Sequence, residues 1–318
     1  MVVRRRRPGR HYDREHERPS GLRAARVTTH APPDEQRPTV AEQTRNSMQE
    51  FSSAERKVAR ALLAEYPGAG LDTVAHLAER AGVSAPTVLR FGRRLGYQGF
   101  PELQAALRDE LARRTSGPLA RFETRRPAGS ASELVRREAE ERGRVIAASL
   151  TAITPYEIDA AVALVADKSR RVTCAGGRFS QVLAQYLELY LQQLRPKTRL
   201  LDSSPSRRVG QLVDVGRGDV FVLFDYRRYQ RDIVALAEQV HCRGASVVLF
   251  TDPWLSPAAA YADVVLPTSV DSPSPFDSLA AGFVLCEALA AGVLAVRGEA
   301  ATKRMRHWDE FDSLELLS

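Results

Sequence analysis

Ser84, Thr87, Arg90, Arg93 and Arg94 bring hydroxyl and guanidinium groups to one short stretch at intervals of three and four, the spacing that lines up side chains along one side of a helix. With Ala85 they form a row able to meet base edges and phosphates of double-stranded DNA. A guanidinium fork matches the two acceptors of guanine, which makes Arg90 the base reader, while Arg93 and Arg94 suit phosphates. No comparable set points to catalysis. His76 and His241 fall in helical stretches without partners at useful spacing, and Asp225, Asp252 and Glu287 are scattered, so no acid/base pair is expected and the chain does not read as an enzyme. Gly176 and Gly177 alone are too weak a signal for a nucleotide loop. Cys174, Cys242 and Cys286 are far apart and set among apolar residues. They read as buried thiols of a reducing compartment, with no metal spacing and no cofactor implied.

The elements that must position the arginine row are legible on either side of it. Ser52 and Glu55 form a capping box ahead of an apolar face of Val58, Ala61 and Leu62, and Pro67-Gly68 stops that helix. Asp72 is expected to cap a second helix with Val74, Leu77, Ala78 and Ala81 facing inward, and Ser84 a third, with Pro86 in its first turn. A helix-turn-helix needs a small residue where its helices cross and a turn residue tolerant of positive φ. Ala78 and Gly82 meet those needs, and Leu77, Val83, Val88 and Phe91 can hold the angle. The third helix then enters the major groove with its first residues at the base edges. The alternative is a helical hairpin with a solvated basic face.

The run Ser-Ala-Glu-Arg-Lys-Val-Ala over 53–59, and the stretch 78–100 ending Leu95-Gly96-Tyr97-x-Gly99-Phe100, resemble the N-terminal domain of the RpiR family of regulators. That resemblance implies a winged or extended DNA-binding domain of three to five helices, used as a dimer or tetramer on a palindromic operator, and a sugar isomerase (SIS) domain downstream.

The rest of the sequence agrees with this expectation. Residues 116–131 lose periodicity and gain Pro, Gly and Ser, as a linker does. Beyond an amphipathic helix over 133–153 and a capped one opening at Thr154, apolar runs at 171–175, 198–201, 220–224, 246–251 and 264–266 alternate with helical stretches at about 179–194, 206–214, 229–243, 256–261 and 276–296. Such alternation predicts a mostly parallel five-stranded sheet covered by helices on both faces, with ligands at the carboxyl ends of the strands. Gly218-Asp219-Val220, and Gly244-Ala245-Ser246 followed by Thr251-Asp252, resemble the openings of central SIS strands. The resemblance covers about residues 51–296.

At the ligand loops the chain departs from that family. SIS domains hold phosphosugars with a Ser-x-Ser-Gly-x-Thr loop, and here the run is Asp225-Tyr226-Arg227-Arg228-Tyr229-Gln230. The first loop, Gly-x-Gly-x-Ser in the family, keeps Gly176 and Ser180 but gains Arg178. Guanidinium forks in place of hydroxyls suit carboxylates as well as phosphates. Gly176, Arg178, Ser180, Asp225, Arg227 and Arg228 are therefore the expected site for a small anionic metabolite. The alternative is that Asp225 and the arginines pair internally or at a subunit interface, as buried charges usually do.

The chain has 318 residues, 44% hydrophobic and 27% charged, with a net charge of +7, which suits two domains and a tail. Residues 1–40 hold ten arginines against five carboxylates, with too few large apolar residues to form a core. A disordered basic arm over 1–45 is expected, adding salt-sensitive contacts to DNA. A plain solvated tail, or a stretch upstream of the true start, is the other possibility. A helix-turn-helix domain over 46–115, the linker over 116–131 and a sensing and oligomerising SIS-type domain over 132–318 complete the expected organisation. No apolar stretch approaches the roughly 20 residues of a membrane span and no secretory leader is seen, so a cytoplasmic homodimer or homotetramer is expected. The functional expectation is a DNA-binding regulator modulated by an anion. A sugar-phosphate isomerase-like enzyme and an architectural DNA binder with a ligand-free dimerisation domain are the competitors.

Overall fold

A computed structural model describes residues 38–312, apart from 125 and 127; most of the expected basic arm lies outside the described residues. Residues 38–46 do not belong to such an arm. Thr39 caps a helix, α1 (Val40–Asn46), in a capping box with Glu42, and Val40, Ala41 and Thr44 are buried. The first folded domain thus begins before residue 46. α2 (Ser53–Ala64), the short α3 (Gly68–Leu71), α4 (Val74–Ala81), α5 (Ala85–Arg94) and α6 (Phe100–Thr115) follow. They close on one apolar cluster that includes Phe51, Val58, Leu62, Leu77, Val88, Phe91, Leu103 and Leu107. Glu110 of α6 ties α1 into this body, accepting from the Val40 amide at 2.7 Å and from the Tyr66 hydroxyl. Burial pushes its carboxyl above the usual carboxylate range, against the pull of those two donors.

The expected linker is not structureless. It holds α7 (Pro118–Thr124), whose Arg121 pairs with Asp277 at 2.9 Å. α8 (Ala131–Ala152) and α9 (Pro155–Ala166) then lead into a five-stranded sheet of β1 (Arg171–Gly176), β2 (Thr198–Leu200), β3 (Asp219–Phe224), β4 (Ser246–Thr251) and β5 (Val264–Pro267). All four strand pairings are parallel, in the order β2-β1-β3-β4-β5. Every residue of the central strand β3 is buried, the mark of a sheet covered on both sides. Its side chains alternate between two cores. Val220, Val222 and Phe224 join α9, α10 (Gln181–Leu194) and α13 (Ala280–Arg297), whereas Phe221 and Leu223 join α12 (Arg231–Cys242). α11 (Pro205–Leu212) follows β2, a 3-10 turn over Pro257–Tyr261 precedes β5, and α14 (Glu299–Asp312) packs on α10.

Contrary to the expectation that no stretch approaches membrane-spanning length, α13 is long and apolar enough to cross a bilayer. Its apolarity has a nearer use: Leu285, Cys286, Leu289, Ala290 and Val293 are all buried in the core beneath the sheet.

Candidate nucleic-acid interface and ligand loops

The bend between α4 and α5 rests on one glycine. Gly82 ends α4 with φ 61°, a conformation that costs an L side chain roughly 1 kcal/mol. The Val83 amide then returns to the Ala78 carbonyl at 2.9 Å and that of Gly82 to Glu79 at 3.0 Å, closing the helix end by a Schellman pairing. The start of α4 differs from expectation. Thr73, not Asp72, caps it, accepting from the His76 amide at 3.2 Å, while Asp72 accepts from the Thr73 amide and meets the His76 ring.

α5 divides cleanly into two sides. Thr87, Val88, Phe91 and Gly92 are buried against the domain, and Ser84, Leu89, Arg90, Arg93 and Arg94 are exposed, with Ala85 half-buried. Thr87 therefore does not face outward. Its hydroxyl accepts from the Arg90 guanidinium at 3.1 Å and lies 3.1 Å from the Ser84 hydroxyl, so it steadies Arg90 from the inner side. Ser84 holds the position before α5 but makes no capping bond. Arg94 donates to the Glu50 carbonyl at 2.9 Å, which anchors it away from the first turn. Sequence reasoning missed Leu89, which is 38% exposed on the outer side. An apolar side chain there suits a thymine methyl group, and only its place among polar neighbours marks it.

The two ligand loops meet at the carboxyl ends of β1 and β3. Gly176 closes β1 where the chain doubles back so tightly that the Gly177 amide donates to the Ser180 hydroxyl at 2.9 Å. That hydroxyl donates in turn to the Phe224 carbonyl at 2.6 Å. Asp225, 1% exposed, accepts from the Gln230 amide at 3.1 Å and from the Ser256 hydroxyl, and its carbonyl accepts from Thr251. Arg227 also turns inward, its side chain 1% exposed. Nε donates to Asp277 at 3.0 Å, and the two terminal nitrogens donate to the Arg113 and Ser116 carbonyls at 2.8 Å each. Burial lowers the pKa of this guanidinium, opposed by the charge of Asp277.

Of the six expected ligand residues, then, Ser180, Asp225 and Arg227 are spent on internal bonds, and Gly176 serves the turn. Arg178 and Arg228 remain exposed, both stacked on Phe179 with centroid distances of 5.4 and 5.9 Å. Phe179 itself is 64% exposed, and an aromatic between two exposed guanidiniums is a platform for a planar or phosphorylated anion.

Arg228 stands at φ 63°, at the loop position where the SIS pattern has glycine. A glycine there would take up this conformation without strain. Arg228→Gly is expected to raise stability by up to about 1 kcal/mol, seen as a higher denaturant midpoint with unchanged slope; a lower midpoint would show that the side chain stabilises the fold. Among the described residues there is no group of three His, Cys, Asp or Glu able to hold a metal.

The family model described as "Helix-turn-helix domain, rpiR family" matches residues 39–114, and the SIS domain model matches residues 166–292. The HTH-type transcriptional regulator HexR of Pseudomonas aeruginosa is 29% identical over 263 residues, 81% of this chain and 90% of that protein. Among solved structures, the NanR protein of Vibrio vulnificus complexed with ManNAc-6P aligns with a TM-score of 0.51 at 18% identity, over 87% of this chain and 99% of that one. The sugar isomerase domain of an RpiR transcription factor from Sphaerobacter thermophilus aligns with a TM-score of 0.52 at 23% identity, over 56% and 99%. At these identities the two structures bear on the fold alone.

Proposed function

We propose that this chain, which joins a helix-turn-helix domain of the rpiR family to a SIS domain, is a transcriptional regulator that binds operator DNA through the outer side of α5 under control of a small anion. The observation that carries this is the division of α5: its inner row is locked into the domain, while Arg90, held by the buried Thr87 hydroxyl, stands outside. Paired recognition helices about 34 Å apart are needed to read a palindrome, so the working unit is a two-fold oligomer in the cytoplasm. The exposed Val182, Leu189 and Tyr190 of α10 offer an apolar face for that pairing. The anion is a phosphate or carboxylate held by Arg178 and Arg228 on Phe179. NanR was solved with ManNAc-6P, but the hydroxyl loop that would fit such a ligand is here replaced by Asp225, Arg227 and Arg228. The same loss speaks against an isomerase, because the one hydroxyl kept in the first loop, on Ser180, is already committed to the Phe224 carbonyl.

The test compares two arginines of one helix. Arg90→Ala is expected to cost about 1–3 kcal/mol of discrimination at one base position. Arg94→Ala is expected to weaken all sequences alike and flatten the salt dependence by about one unit of slope. Quantitative footprinting against a randomised operator, repeated over salt concentration, separates them. Equal and sequence-independent losses in both variants would contradict the groove assignment.

A further inference from the structure

The arginine at the second position of the ligand loop has found a partner inside the protein. α6 ends at Thr115, and the last carbonyls of a helix lack intrahelical donors and carry the negative end of its dipole. Arg227, at the carboxyl end of β3, fills that need for two of them, Arg113 and Ser116, from a nearly dry position. Asp277 takes the third arm of the guanidinium and also accepts from Arg121 of α7. One carboxylate and two arginines thus hold the junction of α6 and α7 against the sensory sheet. Arg45 of α1 adds a bond to the Pro253 carbonyl at 3.3 Å. The DNA-binding helices are therefore clasped to the very loop that the SIS pattern devotes to ligand.

Beside the clasp lies an open cleft of about 590 Å³. Thr115 of α6 lines it together with Arg228, Arg231 and Glu238 and the apolar Val234, Ala235 and Pro257. Arg228 and Arg231 are exposed, and Arg228 keeps its positive φ there, a strain of the kind that collects at ligand clamps.

We propose that this cleft, which shares Arg228 with the Phe179 platform, is a second ligand site, for a small organic anion with an apolar body, and that an anion seated there controls the Arg227 clasp between the DNA-binding helices and the SIS sheet. The proposal rests on the regulator reading and gives it a route. An anion that contacts Thr115 and the two arginines bridges α6 and the SIS domain, so it binds the clasped arrangement more tightly than the opened one and shifts the protein toward it. By linkage, DNA and the anion then change each other's affinity by the same factor.

Hydrogen exchange on the full chain reads the clasp directly, through the amides of residues 113–121. Arg227→Ala is expected to speed their exchange by about tenfold or more, and Asp277→Asn to do so by less, with the amides of β3 and β4 unchanged as a check on folding. Phenyl phosphate is expected to slow the same amides in the native protein. Inorganic phosphate, lacking the apolar body, is expected to do so more weakly, and neither should act on Arg231→Ala. Unchanged exchange in Arg227→Ala would overturn the clasp. Protection by phenyl phosphate that survives Arg231→Ala, or none at all, would overturn the cleft. Operator binding measured on the same samples keeps the two readings apart, since a failed clasp with intact DNA binding leaves the regulator standing, and loss of DNA binding in the native protein does the reverse.

Discussion

Alanine at Gly176 is expected to destabilise the SIS domain by about 3 kcal/mol, lowering the denaturant midpoint without changing its slope. The reason is steric. A Cβ built at this position would stand 2.6 Å from the Ser180 carbonyl oxygen and 2.7 Å from both the Gln181 nitrogen and the Ser180 carbonyl carbon. All three are backbone atoms, so no change of rotamer can relieve the overlap. The turn from β1 into α10 would have to open, breaking the bonds from the Gly177 amide to Ser180 and from Ser180 to Phe224 that join the two ligand loops. Two other glycines supply the controls. A Cβ on Gly177 would meet only the flexible Gln230 side chain at 3.2 Å, and one on Gly82 would meet nothing within 4 Å, its cost coming only from φ. Alanine at either should cost about 1 kcal/mol or less. Equal losses at Gly176 and Gly177 would mean that the turn is looser than its close contacts imply. Gly176 thus shapes the loop that presents Arg178.

The sheet was legible because its strands are short apolar runs bounded by turn residues, and each of the five begins and ends within about a residue or two of where the pattern places it. The helix-turn-helix was legible for a different reason: Ala78, Gly82 and Phe91 answer three separate steric demands within one short window. α1 escaped because its seven residues follow an arginine-rich stretch and depend on Glu110, seventy positions away, for their tie to the domain. α14 escaped because half of its residues are charged, with Ala301 buried and Met305 half-buried as its footholds. The site was only half legible. Residue type showed that guanidinium groups had replaced hydroxyls, and the choice between ligand contact and internal pairing was visible as a choice. What decides it for Arg227 is a pair of backbone carbonyls more than a hundred residues earlier, and a carbonyl leaves no trace in a sequence. Thr87 shows the same limit at shorter range. Its spacing puts it on the recognition row, but a quarter turn of the helix is enough to bury it and make it a support for its neighbour.

Phe91→Ala tests whether the recognition helix depends on its own small core. Phe91 is fully buried on the inner side of α5, with its ring 5.2 Å from that of Phe51, and it shares a cluster with Val88, Leu77 and Leu103. Removing a buried phenyl ring costs about 3–5 kcal/mol, comparable to the whole stability of a domain this small. The two SIS clusters contain none of these residues, so the loss should fall on one domain. Calorimetry of the variant is expected to show the helix-turn-helix melting far below the native temperature, with the SIS transition lowered only by what the Arg227 clasp transmits. Operator binding should disappear at temperatures where the SIS domain is intact, because α5 has lost the wall behind Val88 and Phe91 that sets its angle. Leu89→Ala supplies the contrast on the same helix. Its side chain lies outside, so stability should stay within about 0.5 kcal/mol of the native value, while the preference at one base step shifts. If Phe91→Ala left operator affinity unchanged, or if Leu89→Ala were the variant that melted the domain, the inward and outward sides of α5 would have to be exchanged, and with them the identity of the surface that meets DNA.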